Sequence, residues 1–145
     1  MKLYDTKVAP NPRRTRIFLA EKGISVPTEQ LDIGAMQHKT PEYAAINPLQ
    51  RMPALVLDDG TIITESIAIC RYFEMMQPEP PLFGVGPKDS AIVEMWNRRA
   101  EINFLSNVAG FPSHTPGDEG ARGPTGTGLG RREQATCNVV PRTAR

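Results

Sequence analysis

Residues 47–69 read NPLQRMPALVLDDGTIITESIAI, and the order of features in this stretch sets the expectation for the whole chain. Ala54–Leu57 is a continuous apolar run, as a strand covered on both faces requires. Asp59-Gly60 predicts a tight hairpin, because glycine takes a positive φ without steric cost. Thr61–Thr64 pairs back against the first strand. Thr64-Glu65-Ser66 then opens an amphipathic helix, in which Ile69, Tyr72, Phe73 and Met76 fall at i, i+3, i+4 and i+7. They form one apolar stripe aimed at the sheet. A proline-led strand, a hairpin, an acid beside a hydroxyl and a helix suit the holding of a small peptide by its main chain and its amino-acid head.

Upstream, residues 2–7 (KLYDTK) predict a first strand. Asn11 is placed to cap a helix with Pro12 at its first position and Lys22-Gly23 as its stop, giving a helix over 12–22. Residues 27–33 (PTEQLDI) predict a weaker strand whose leading proline favours an edge. Thr40-Pro41-Glu42 opens a short helix that Pro48 must end. The first 76 residues thus read βαβ followed by αββα, an α/β domain on the thioredoxin-like plan. The proline-rich stretch Gln77-Pro78-Glu79-Pro80-Pro81 predicts a stiff linker over 77–86 and a domain boundary. A longer helix from Pro87 to about 109 follows by periodicity, with Ile92, Met95, Trp96, Ile102, Leu105 and Ala109 on its apolar side.

Residues 111–145 differ in kind. Ten of these 35 residues are glycine or proline, and Phe111, Leu129, Val139 and Val140 are the only large aliphatics or phenylalanine. Such a segment buries too little apolar surface to offset its ordering entropy, so an irregular or disordered tail is expected. A shifted reading frame would produce the same abrupt change; an unbroken genomic frame through this point removes that explanation. The glycine-rich run from Gly123 lacks both the GK[ST] ending and the preceding strand of a phosphate loop.

Composition narrows the function. Seventeen basic against 16 acidic residues leave a net charge of +1, which gives no field for nucleic acid or an acidic membrane surface. Cys70 and Cys137 are the only cysteines. Two isolated thiols make no disulfide framework and suggest a reducing, cytoplasmic setting. The N-terminal residues carry no apolar run of the signal-peptide kind, and no segment is long enough to span a bilayer. No His, Cys and acidic cluster has metal-ligand spacing.

The candidate chemistry sits at two helix starts and one proline. A helix N-terminus presents free N–H groups and partial positive charge, and both favour a thiolate. Lowering a thiol pKa by ~1 unit takes about 1.4 kcal/mol, which one hydrogen bond from the Asn11 amide supplies; simple capping is the alternative role for Asn11. Without a Cys-x-x-Cys at this helix, dithiol exchange is not expected, and Cys70 inside a helix is expected to be inert. At Met52-Pro53 the base rate favours trans, since only about one X–Pro bond in twenty is cis. A cis bond would present the Met52 N–H and C=O as an open edge for an extended peptide. Glu65 is suited to a ligand ammonium, and Ser66 with the helix amides to a carboxylate; capping is again the alternative. Arg13, Arg14 and Arg16 suggest a solvated helix face. His38, Lys39, Gln50 and Arg51 fall in loops near the same place.

Together PNPRRTRIFLAEKG, NPLQRMPALVLDDG and TESIAICRYFE resemble the glutathione transferases over residues 2–109. The resemblance implies glutathione as co-substrate, a cis-proline at Pro53 and a γ-glutamyl contact at Glu65 and Ser66. It also implies help with the rest of the tripeptide from Gln50 or Arg51. The usual catalytic Tyr, Ser or Cys is replaced by Ala9-Pro10-Asn11-Pro12. This is similar to a bacterial and fungal group in which an asparagine meets the sulfur, so Asn11 is the expected catalytic residue. The resemblance further implies a small electrophilic second substrate, a homodimer, and an all-helical second domain of which this chain supplies one clear helix. A non-catalytic transferase-like interaction module is the alternative from another class.

Overall fold

A computed structural model of the chain describes residues 1–105. Its elements are β1 (Lys2–Asp5), α1 (Pro10–Glu21), β2 (Thr28–Gln30), α2 (Pro41–Ile46), β3 (Ala54–Val56), β4 (Ile62–Thr64), α3 (Ser66–Met76) and α4 (Gly86–Ala100). A 3-10 turn over Gln37–Lys39 precedes α2, and a π-helical turn over Glu101–Leu105 follows α4. The irregular tail expected over 111–145, with His114 and Cys137, lies outside the described residues, as does the end of the helix expected to reach 109.

The four strands form one mixed sheet in the order β2-β1-β3-β4, with β1 parallel to β2 and the other pairs antiparallel. This is the expected α/β arrangement. Side chains alternate across the sheet. Leu3 therefore faces the core with Leu19 of α1, Leu55 of β3, and Ile69 and Phe73 of α3. Tyr4 turns to the opposite face, where its ring lies 5.8 Å from that of Tyr43 on α2. Ala54 and Leu55 are both fully buried although they point to opposite faces, as a strand covered on both sides requires. Each fully buried Leu, Ile or Phe contributes about 1.5–3 kcal/mol.

Local chemistry sets the ends of the elements. Gly23, at φ +64°, closes α1: its N–H donates to Ala20 O (3.0 Å), and Ile24 N–H donates to Leu19 O (2.9 Å). This is the paired hydrogen bonding of a Schellman cap. Gly60, at φ +85°, makes the expected hairpin turn, with its N–H on Leu57 O at 3.0 Å. The Asp59 carboxylate accepts from Thr61 N–H at 2.8 Å, and that bond lowers the Asp59 pKa.

Several expectations are corrected. α1 begins at Pro10 with Ala9 in the cap position, so Asn11 is the second helical residue and caps nothing. β2 is three exposed residues rather than seven. The buried stripe of α3 is Ser66, Ile69, Cys70 and Phe73; Met76 is exposed because the last turn runs past the sheet. α4 starts at Gly86 and has no buried residue, with Trp96 60% exposed; Ile102, in the π-helical turn that follows, is 61% exposed. Arg16 is no solvated arginine. Its Nη1 donates to both oxygens of the fully buried Asp5 at 2.8 Å and to Thr6 O at 2.7 Å.

Candidate functional site

The register of the sheet determines where the candidate residues go. Tyr4 pairs with Ala54, and Ala54 with Thr64; this row is the last rung of both antiparallel ladders. Beyond it the chain leaves β1 for the start of α1, enters β3 from Met52-Pro53, and leaves β4 through Glu65 into α3. The α1 mouth, the proline loop and the α3 mouth therefore meet at one end of the sheet.

The Met52–Pro53 bond is cis, against the base rate and in line with the resemblance. Met52 lies outside both ladders, so its N–H and C=O are not consumed by the sheet. The residue before it is held firmly. Arg51 O accepts from the Tyr43 hydroxyl and from Asn47 Nδ2, each at 2.7 Å. Tyr43 and Asn47 are both 3% exposed. Burial pushes the Tyr43 hydroxyl up to about 12, so it remains a donor through the physiological range. Sequence reasoning missed both residues; the only trace of them is a short capped helix ending in Asn47-Pro48. Gln50 also sits in this loop, at φ +53°, with its N–H on Asn47 O. The Arg51 side chain is exposed.

At the mouth of α3, Glu65 occupies the cap position but makes no side-chain cap hydrogen bond, which removes simple capping as its role. Its φ of +68° with ψ of 120° lies outside even the small left-handed region open to ordinary residues. Gln50 and Glu65 are two of the three non-glycine residues with positive φ among the described residues. Backbone strain of this kind collects at ligand clamps. Ser66 is 4% exposed, and its Oγ accepts from Arg14 Nη1 at 3.0 Å. Arg14 thus spans α1 and α3, a role its place in an arginine-rich helix turn did not signal.

The mouth of α1 is poorer in donors than a helix start usually is. Pro10 and Pro12 have no N–H, and Arg13 N–H already donates to Ala9 O at 3.3 Å. The free main-chain donors of the first turn are therefore Ala9 and Asn11. The Asn11 side chain is exposed and engages no other described residue.

Cys70 is the buried free thiol among the described residues. Burial raises its pKa from the ordinary 9.0 to about 11, opposed by the Thr15 hydroxyl and the Arg14 charge. That burial and that shift are what an unreactive thiol requires. A folded-state pKa raised above the unfolded value contributes stability in full below pH 9, and that contribution is lost as pH rises toward 11. Urea midpoints are expected to fall over that window, and less steeply in Cys70→Ala. Cys70 is expected to resist iodoacetamide at pH 8 in native protein, as read by peptide mass mapping; rapid native labelling would contradict its burial.

A separate cleft of about 330 Å3 opens between β1, β2 and α2, lined by Tyr4, Gln30, Gln37 and Tyr43, and contains none of the predicted site residues. Among the described residues there is no group of three or more His, Cys, Asp or Glu that could hold a metal, and no helix is long and apolar enough to cross a membrane.

Residues 1–74 match the family model described as "Glutathione S-transferase, N-terminal domain". The chain belongs to the glutathione S-transferase family. Among curated relatives, Glutathione S-transferase 2 of Saccharomyces cerevisiae is 40% identical over 120 residues, covering 81% of this chain and 52% of the yeast protein. The crystal structure of a glutathione S-transferase domain-containing protein from Marinobacter aquaeolei superposes with a TM-score of 0.71 at 41% identity, covering 75% of this chain and 54% of that one. A glutathione transferase homologue from Sulfitobacter, solved with bound glutathione, gives a TM-score of 0.64 at 28% identity, covering 70% of this chain and 48% of that one. The fold over residues 1–74 is thus the thioredoxin-like N-terminal domain of this family, and the chain spans about half the length of the relatives it matches.

Proposed function

We propose that this chain binds glutathione at the sheet end shared by α1, the Met52-Pro53 loop and α3, and activates its thiol for conjugation. The main chain of the tripeptide pairs with Met52. Its γ-glutamyl ammonium meets Glu65, its carboxylate meets Ser66 and the α3 amides, and Gln50 and Arg51 serve the remainder. The sulfur then faces the mouth of α1, where Asn11 offers a side-chain and a main-chain donor. The observation that carries this reading is the common rung Tyr4–Ala54–Thr64, which delivers all three segments to one place. The thiol proton leaves to solvent. The thiolate forms a C–S bond with a small electrophile and expels its leaving group, or attacks one sulfur of a disulfide and releases the other as thiolate. Family membership supports a homodimer, a role in detoxification and a cytoplasmic setting as parts of the same proposal.

The test is direct. Glutathione at 100 times its Kd is expected to stabilise the protein by about 2.7 kcal/mol, seen as a raised Tm, with saturable heat in calorimetry. Turnover of a chlorodinitrobenzene-type electrophile is expected to fall about tenfold in Asn11→Ala, the loss of one charge-assisted hydrogen bond; an unchanged rate would remove Asn11 from the chemistry. Well-folded protein that shows no heat and no Tm shift would refute the proposal.

A further inference from the structure

Arginine donates hydrogen bonds and cannot accept them, whereas a hydroxyl has one proton to give and two lone pairs. The 3.0 Å contact from Arg14 Nη1 to Ser66 Oγ therefore fixes Ser66 as the acceptor. The Ser66 proton is then free to point away from Arg14. Ser66 is 4% exposed and stands at the first position of α3, at the sheet end where the three segments converge. Arg14 is half-buried in the seam where α1 packs on α3. Its charge acts down α3 as far as the Cys70 sulfur, one turn beyond Ser66. A guanidinium in that place does two things for an anion seated on Ser66. It orients the hydroxyl as a donor, and it adds positive charge behind the carboxylate in a region of reduced dielectric.

We infer that Arg14 is a positioning residue for the amino-acid head of the bound tripeptide, acting through Ser66 on the α-carboxylate and not on the ammonium group. The inference rests on the glutathione reading above and adds to it a specificity element supplied by the middle of α1. Its effect is on binding in the ground state and the transition state alike, so KM for glutathione changes while kcat holds.

The experiment uses three peptides on the full chain: glutathione, glutaryl-Cys-Gly, which lacks the ammonium group, and 4-aminobutyryl-Cys-Gly, which lacks the α-carboxylate. Arg14→Gln is expected to weaken glutathione and the glutaryl peptide about tenfold by calorimetry, and to leave the aminobutyryl peptide within about twofold of wild type. Arg14→Lys, which keeps the charge and loses the planar fork, is expected to recover part of the loss on the two carboxylate-bearing peptides. In Ser66→Ala the further loss from Arg14→Gln is expected to shrink, because the two residues act as one unit. Equal losses on all three peptides, or no loss, with wild type still binding glutathione, would overturn the inference and leave the glutathione reading standing. Wild-type protein that binds no peptide would overturn both. Should Arg14→Gln fail to fold, Arg14→Lys carries the same comparison: discrimination confined to the carboxylate-bearing peptides supports the inference, and uniform behaviour across the three overturns it.

Discussion

Replacing Lys22 by methionine is expected to lower folding stability by about 3–5 kcal/mol, the cost of breaking a buried ion pair from one side. The Lys22 side chain is 0% exposed and its ammonium lies 2.5 Å from a Glu74 carboxylate oxygen. The same nitrogen donates to Gln77 O at 2.8 Å, Pro78 O at 3.2 Å and Pro80 O at 2.5 Å. Gln77 Nε2 returns a bond to Lys22 O at 2.6 Å, and Glu74 Oε1 accepts from Phe83 N–H at 3.1 Å. One ammonium thus ties the end of α1, the last turn of α3 and the connection toward α4. Methionine preserves the apolar stem and leaves a carboxylate and three carbonyls without their donor. Because whole domains are stable by only about 5–15 kcal/mol, the urea midpoint is expected to drop steeply. Adding Glu74→Gln, which keeps an acceptor for Phe83 and removes the stranded charge, is expected to recover part of the loss. A single-variant loss below about 1 kcal/mol would show that the ammonium reaches water.

Lys22 also marks the boundary of what the sequence makes legible. Lys22-Gly23 signals a helix stop, and α1 does stop there, because the cap uses local main-chain geometry. That the lysine is buried depends on residues 52 to 58 positions away, a distance over which no local pattern speaks. The strands, the hairpin at Asp59-Gly60 and the α3 stripe were legible for the opposite reason: alternation, turn chemistry and helical period act within a few residues. Met76 was misread because period alone does not say where the sheet ends. The apolar stripe expected along α4 and beyond is there in sequence, yet Ile92, Met95, Trp96 and Ile102 are exposed, since a stripe predicts a face and not a partner. In the site, the proline and the acid-hydroxyl pair were visible as motifs. Arg14 was not, because Ser66 lies 52 residues away and only the fold brings the two together; Tyr43 and Asn47 lie within eight residues of Arg51, but a side chain closing an irregular loop onto a carbonyl has no periodic signature.

Glu65→Gly is expected to raise stability and weaken ligand binding at the same time. Glu65 holds φ +68° and ψ 120°, a conformation that costs a residue with a Cβ on the order of 1–3 kcal/mol and glycine little. Its side chain is exposed and engages no other described residue, so its removal forfeits no contact in the free protein. Glycine adds chain entropy to the unfolded state, which offsets part of the relief, and the net expected gain is about 0.5–1 kcal/mol. If the carboxylate meets the ligand ammonium, its loss weakens glutathione by about 2–3 kcal/mol, or 30- to 150-fold in Kd. Glu65→Gln separates the two effects: it keeps the strain and the shape, gains no stability, and still loses most of the affinity. A merely structural residue would show the reverse correlation, with affinity following the Tm. Thermal melts and calorimetry on the two variants decide between these patterns, and a glycine variant that binds glutathione as wild type does would take Glu65 out of the site.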